Sequence, residues 1–195
     1  MQEKTFFTGK NIAIIAVIAI VPILIVSFVS SYNSLVIKRE ETEEKLSVID
    51  VQLKRRADLI PNLVSTVKGY AKHETEAIDA VTEARTKYGS ATTTKEMAAA
   101  DGELSSAISR LLVIAENYPD LKADSNFRQL SDELSGTENR IAVARKDYNE
   151  AAKEYNTKLV RFPSNLIAGM FGFEKSAYFE ASEADKTVPK VEFDD

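Results

Sequence analysis

Residues 12–30 read IAIIAVIAIVPILIVSFVS, and no charged side chain falls between Lys10 and Lys38. A helix needs about 20 apolar residues to cross the roughly 30 Å hydrocarbon layer of a bilayer. Lipid offers the backbone no hydrogen-bond partner, so a lone spanning segment has to be a helix. The stretch therefore predicts a transmembrane helix over 12–31, with Pro22 kinking it in mid-span rather than breaking it. The alternative is a cleaved leader, whose apolar core is typically about 7–15 residues and closes on small residues. This core is longer, and Val29 and Ser31 make a weak cleavage pattern. Lys4 and Lys10 precede the span, while Lys38, Arg39 and Lys45 come after it. With flanks so balanced, the positive-inside rule favours neither orientation.

The chain has 195 residues and a formal charge of −5, and lacks both Cys and Trp. The part beyond the span is the size of one ordinary domain. Residues 1–30 hold two Lys and one Glu, so the remainder stands at −6. Nucleic-acid binding needs clustered Lys and Arg to neutralise phosphates. The short cluster Lys54, Arg55 and Arg56 does not supply that, so no nucleic-acid partner is expected. The absence of Cys removes disulfides, thiolate nucleophiles and thiolate metal sites. Few glycines and abundant Ala, Glu, Lys and Leu favour helices.

Past the span, the apolar residues fall on a coiled-coil-like period of alternating steps of three and four. Ile60, Val64, Val67, Ala71, Ile78 and Val81 form one such stripe, with Glu74 in one slot. Met97, Leu104, Ile108, Leu111 and Ala115 form a second. Phe127, Leu130, Leu134, Ile141, Ala144, Tyr148, Ala151, Tyr155 and Leu159 form a third. Thr93 to Glu96 has the Thr-x-x-Glu form of a capping box. Pro119 and Pro163 close helices, and Asp124 or Ser125 is suited to cap the helix between them. Pro61 reads as a helix start, where its missing N–H costs nothing, or as a kink in one long helix. The reading favoured is all-α: a transmembrane helix and then an antiparallel up-and-down four-helix bundle, with helices at 33–59, 62–88, 94–116 and 124–162. The layout is a flank over 1–11, a span over 12–31, a bundle over 32–173 and an acidic, flexible tail over 174–195.

No assembled catalytic set is visible. His73 is the single histidine, which excludes a two-His zinc helix and a di-iron carboxylate bundle. Phosphate-cradling glycine loops and a Gly-x-Ser-x-Gly elbow are missing as well. No metal or cofactor is expected. The run Glu40, Glu41, Glu43 and Glu44 reads as a solvated helix face, and Arg55, Arg56 and Asp58 as interhelix ion pairs or caps. Thr137, Tyr148 and Tyr155 occupy core slots of the last stripe, flanked by Asn139, Arg140, Asn149 and Asn156. Buried polar groups need partners, so these residues predict an interhelix network that sets helix register or lines a polar pocket.

Residues 162–173 read FPSNLIAGMFGF and carry no charge. An up-down-up-down bundle returns Phe162 to the side where the chain enters. Phe162, Pro163, Leu166, Ile167, Met170, Phe171 and Phe173 then form a candidate surface for lipid or for another membrane or membrane-associated protein. The alternative is a lid that plugs the open end of the bundle. The tail carries three Lys against seven acidic residues, and residues 188–193 alternate as an extended recognition motif would.

Arg55 to Val64 (RRADLIPNLV) and Val67 to Glu74 (VKGYAKHE) lie downstream of one N-terminal span. Later come Glu138 to Asn149 (ENRIAVARKDYN), Tyr155-Asn156, Phe162 to Ala168 (FPSNLIA) and Phe171-Gly172-Phe173. Together, in this order, these stretches resemble the LemA family of bacterial membrane proteins over nearly the whole chain. The resemblance implies a single-pass protein of the bacterial inner (plasma) membrane with an antiparallel four-helix bundle, and it carries over no catalytic residue. The expected function is a non-enzymatic interaction or scaffold domain. A membrane-tethered sensor using the polar residues of the fourth helix is the second expectation.

Overall fold

The computed structural model describes residues 9–180, with side chains from residue 13 onward. Six α-helices succeed one another: α1 (Gly9–Tyr70), α2 (Thr75–Ser90), α3 (Thr94–Ala115), α4 (Pro119–Ala123), α5 (Ser125–Val160) and α6 (Ser164–Phe171). No strand occurs among the described residues. The four long helices, α1, α2, α3 and α5, run alternately up and down. Expectations about residues 1–8, and about the alternating motif at 188–193, lie outside the described residues.

The expected break at Pro61 is absent. α1 is one helix of 62 residues, about 90 Å long at 1.5 Å per residue. It carries the candidate span and the first helix of the bundle without interruption. Only this helix, among those described, has a stretch long and apolar enough to cross a membrane. A proline inside a helix removes one donor and leaves the carbonyl four residues earlier without its partner. Here that carbonyl belongs to Ala57, and it accepts a hydrogen bond from Arg85 Nε on α2 at 3.0 Å. The turn falls later, at residues 71–74, where Glu74 N–H bonds to Ala71 carbonyl at 3.2 Å. The stripe through Ala71, Ile78 and Val81 thus folds back on itself: all three are buried, but on either side of a turn between two antiparallel helices.

Other boundaries obey their local chemistry. Thr93 caps α3, with Glu96 reaching back in a complete capping box. Asp124 accepts from Phe127 N–H at 2.9 Å and caps α5. His73 is exposed in the α1–α2 turn.

Helix lengths decide how the core is filled. α1 beyond residue 31 and the 36-residue α5 form a long antiparallel pair. α2 and α3, at 16 and 22 residues, make a hairpin too short to cover that pair. It covers the distal half, where Ile60, Leu63, Val67, Leu104, Leu111 and Phe127 meet. The half nearer the apolar end of α1 is closed by residues beyond α5. Ile167 and Ala168 of α6 join Leu35, Tyr155 and Leu159 in one cluster. Phe179 joins Ile49, Leu53, Ile141 and Tyr148 in another. The expected bundle limit at residue 173 and flexible tail from 174 are therefore corrected for residues 174–180, which run extended along the bundle and contribute Phe179 to its core.

Candidate functional site

Besides Glu74, two more charges occupy slots of the apolar stripes. On α1 the stripe runs Leu46, Ile49, Leu53, Arg56, Ile60, and on α3 it runs Met97, Asp101, Leu104. Arg56 is 3% exposed and Asp101 is fully buried. Arg56 Nη1 donates to Asp101 Oδ1 at 3.2 Å and to Ser105 Oγ at 2.8 Å, and pairs with Glu138 Oε2 of α5 at 2.6 Å. Arg145 of α5 pairs with Asp101 Oδ2. Two cations and two anions balance, which is the condition for keeping charge in a low-dielectric interior. Burial pulls the Arg56 guanidinium below its ordinary pKa, against the opposing pull of Glu138. The cluster ties α1, α3 and α5 together at mid-height. Sequence reasoning reached Arg56 but passed over Asp101; its signal was a carboxylate in an apolar slot.

The six polar residues expected as one network have separate fates. Tyr148, Asn149 and Asn156 converge on the extended C-terminal segment. Asn156 Oδ1 accepts from Ser176 N–H and its Nδ2 donates to Ser176 carbonyl, both at 2.9 Å. Asn149 does the same with Phe179, at 2.8 and 2.9 Å. Tyr148 hydroxyl donates to Ala177 carbonyl at 2.6 Å, and burial raises its pKa. Arg140 bonds instead to Gln52 Oε1 of α1 at 3.2 Å, and Asn139 is exposed. Tyr155 lies buried in the cluster nearest the apolar end, its pKa raised by that burial. Register and segment binding thus account for four of these six polar residues: Arg140, Tyr148, Asn149 and Asn156.

The seven residues expected as one surface divide by face. Ile167 is buried and Phe173 and Pro163 are half-buried. Phe162 is 80% exposed and Met170 is 71% exposed, and Leu166 and Phe171 are exposed beside them. Leu166 and Met170, four residues apart, share one face of α6, and Phe162 is exposed in the turn just before the helix. Phe171 packs against Phe28 and Tyr32 of α1, ring centroids 6.1 and 4.9 Å apart. Phe173 packs on Tyr32 at 5.8 Å, and the Arg39 guanidinium lies 5.6 Å from its ring. α6 therefore sits beside the point where the uncharged stretch of α1 gives way to polar sequence. One face of residues 162–173 closes the core through Ile167 and Ala168, and the other is open. Among the described residues, no three His, Asp or Glu side chains gather to hold a metal ion.

A helical bundle grown directly from a long apolar helix defines a class of helical proteins with a candidate N-terminal anchor. The chain belongs to the LemA family, whose model matches residues 45–193. Among relatives, it is similar to magnetosome protein MamQ 2 of Paramagnetospirillum magneticum, 28% identical over 193 residues, covering 84% of this chain and 71% of that protein. Magnetosome protein MamQ of Magnetospirillum gryphiswaldense is 25% identical over 189 residues, covering 84% and 70%. Protein LemA of Metamycoplasma hominis is 28% identical over 160 residues, covering 82% and 73%.

Proposed function

We propose that this chain is a single-span protein of the bacterial inner (plasma) membrane. Its helical domain is a non-enzymatic scaffold that docks another membrane or membrane-associated protein while α6 rests on the lipid surface. The observation that carries this reading is the two-sided chemistry of α6. Ile167 and Ala168 are spent on the core, whereas Leu166 and Met170 of the helix, and Phe162 in the turn before it, are exposed apolar side chains next to the end of the uncharged segment. Burying a large apolar side chain contributes about 1.5–3 kcal/mol. Contacts of that strength do not anchor a protein alone, but they hold a tethered domain against an interface. A small-molecule sensor built on the polar residues of α5 is the weaker reading, because Tyr148, Asn149 and Asn156 already bond to residues 176–179.

The test is fractionation and then crosslinking from α6. The full chain should remain with membranes through high salt and carbonate. A photocrosslinker replacing Met170 should then capture lipid or a discrete protein. A shortened form recovered in the soluble fraction, or no capture from position 170, would contradict the proposal.

A further inference from the structure

We infer that the groove between α1 and α5, above the α2–α3 hairpin, is a peptide-binding site. Its ligand class is an extended segment with a phenylalanine three residues after a small residue. Residues 173–180 of this chain are its resident and displaceable ligand. This inference is independent of any contact between α6 and lipid.

The recognition is addressed to the main chain. A side-chain amide presents the same donor and acceptor as a peptide group. Asn149 and Asn156 each exchange both hydrogen bonds with one residue of the segment, the pattern of a hydrogen-bonded pair in an antiparallel ladder. The spacing matches on both sides. Asn149 and Asn156 are seven residues apart on α5, about 10.5 Å along a helix. Ser176 and Phe179 are three residues apart, about 10 Å along an extended chain. Each Asn comes directly after a buried tyrosine, in the repeated pairs Tyr148-Asn149 and Tyr155-Asn156, so the core-facing stripe aims both amides at the groove. Tyr148 adds a bond to the carbonyl of Ala177 between them.

One side chain supplies the apolar anchor. Phe179 is 3% exposed, and the Arg145 guanidinium lies 5.2 Å from its ring. Arg145 in turn pairs with buried Asp101. The groove is thus wired to the charge cluster that joins three helices.

The segment has the marks of a ligand rather than of framework. It belongs to no helix or sheet. Glu174, Lys175, Ala177, Tyr178 and Glu180 are exposed, which leaves Phe179 as its one fully buried side chain. It joins α6 through Gly172, whose φ of 68° is the left-handed region that glycine enters freely. Elements with few buried contacts open at lower free energy than the core around them.

The experiment uses the full chain in nanodiscs and a fluorescent synthetic peptide of residues 172–180 (GFEKSAYFE). The tethered segment competes at an effective concentration on the order of millimolar, so the unaltered chain should take the peptide weakly. Phe179→Ala vacates the groove and should bind the peptide at least about tenfold more tightly, because that competitor is gone. Adding Asn149→Ala and Asn156→Ala should abolish the gain. A Phe179→Ala chain that stays helical and cooperative yet takes no peptide would overturn the inference. Should that variant fail to fold, hydrogen exchange on the unaltered chain decides. Amides of Ser176 and Phe179 exchanging well ahead of those in mid-α5 support a displaceable segment, and exchange together with α5 refutes it.

Discussion

Pro61 and Arg85 lie on different helices and act on one atom. Pro61 withholds the N–H that would have bonded Ala57 carbonyl, and Arg85 Nε supplies the donor from α2 at 3.0 Å. The carbonyl orphaned by a proline inside a 62-residue helix is thus satisfied from a neighbouring helix.

Arg85→Ala should leave that carbonyl without its donor, at a cost of about 1–3 kcal/mol for a partly buried group. In a Pro61→Ala background the helix N–H returns and the same change should cost less. Denaturant unfolding of the full chain in detergent, across the double-mutant cycle, checks the coupling. Additive effects would show that Arg85 and Pro61 do not share this atom's satisfaction.

Asp101→Ala should destabilise the bundle by roughly 3–5 kcal/mol, because Arg56 and Arg145 would be left facing each other in the interior. Removing Glu103 from its exposed pair with Lys87, both side chains about half accessible, should cost no more than about 1 kcal/mol. Melting temperatures of the two variants, measured side by side, test the contrast.

Leu134→Ala and Ile141→Ala each remove a buried side chain from a different cluster. Each should cost about 2–5 kcal/mol. A loss well under 1 kcal/mol at Ile141, measured by denaturant unfolding, would show that the middle cluster is not packed as described.

Stability should fall in acid. The Phe127 N–H, with help from Tyr70, holds the Asp124 carboxyl below its usual pKa. The backbone N–H groups of Thr92 and Thr93 do the same for Glu96, and Lys38 for Glu154. A group depressed in the folded state stabilises above its unfolded pKa, near 4 for carboxylates, and that stability is lost as pH falls through the folded value. Melting temperature should therefore hold from neutral pH down to about 5 and drop below about 4. Asp124→Asn should flatten the drop.

Much of this architecture was legible in the sequence, because burial on helices has one period. Almost every residue of the three stripes, from Ile60 to Leu159, is buried or half-buried. The caps at Thr93 and Asp124 are local chemistry, and they stand where the sequence puts them. The turn after α1 was not legible. A proline often ends a helix, but this helix continues, and the carbonyl that Pro61 leaves without its donor is met by a side chain 24 positions further along the chain than Pro61. Residues 176–179 were hidden for a similar reason. Their backbone bonds go to asparagine side chains on a helix, a pairing that leaves no alternation or repeat in the segment itself. The signal lay on the other partner, in the Tyr-Asn pair repeated seven residues apart.

The two faces of α6 should separate under mutation. Phe162→Ser with Leu166→Ser and Met170→Ser changes only exposed side chains, so the melting temperature should hold while binding to liposomes falls. Ile167→Ser should do the reverse, lowering stability by roughly 2–5 kcal/mol through loss of a buried side chain.

The most direct test of the membrane-resting scaffold is a depth measurement on the full chain in nanodiscs, with nitroxides placed singly at positions 24, 162, 170 and 143. Position 24 should read as hydrocarbon, 162 and 170 as headgroup depth, and 143, exposed midway along α5, as water. Labels at 162 and 170 as fully aqueous as the one at 143 would show that α6 faces solvent, and that the domain does not rest on the bilayer.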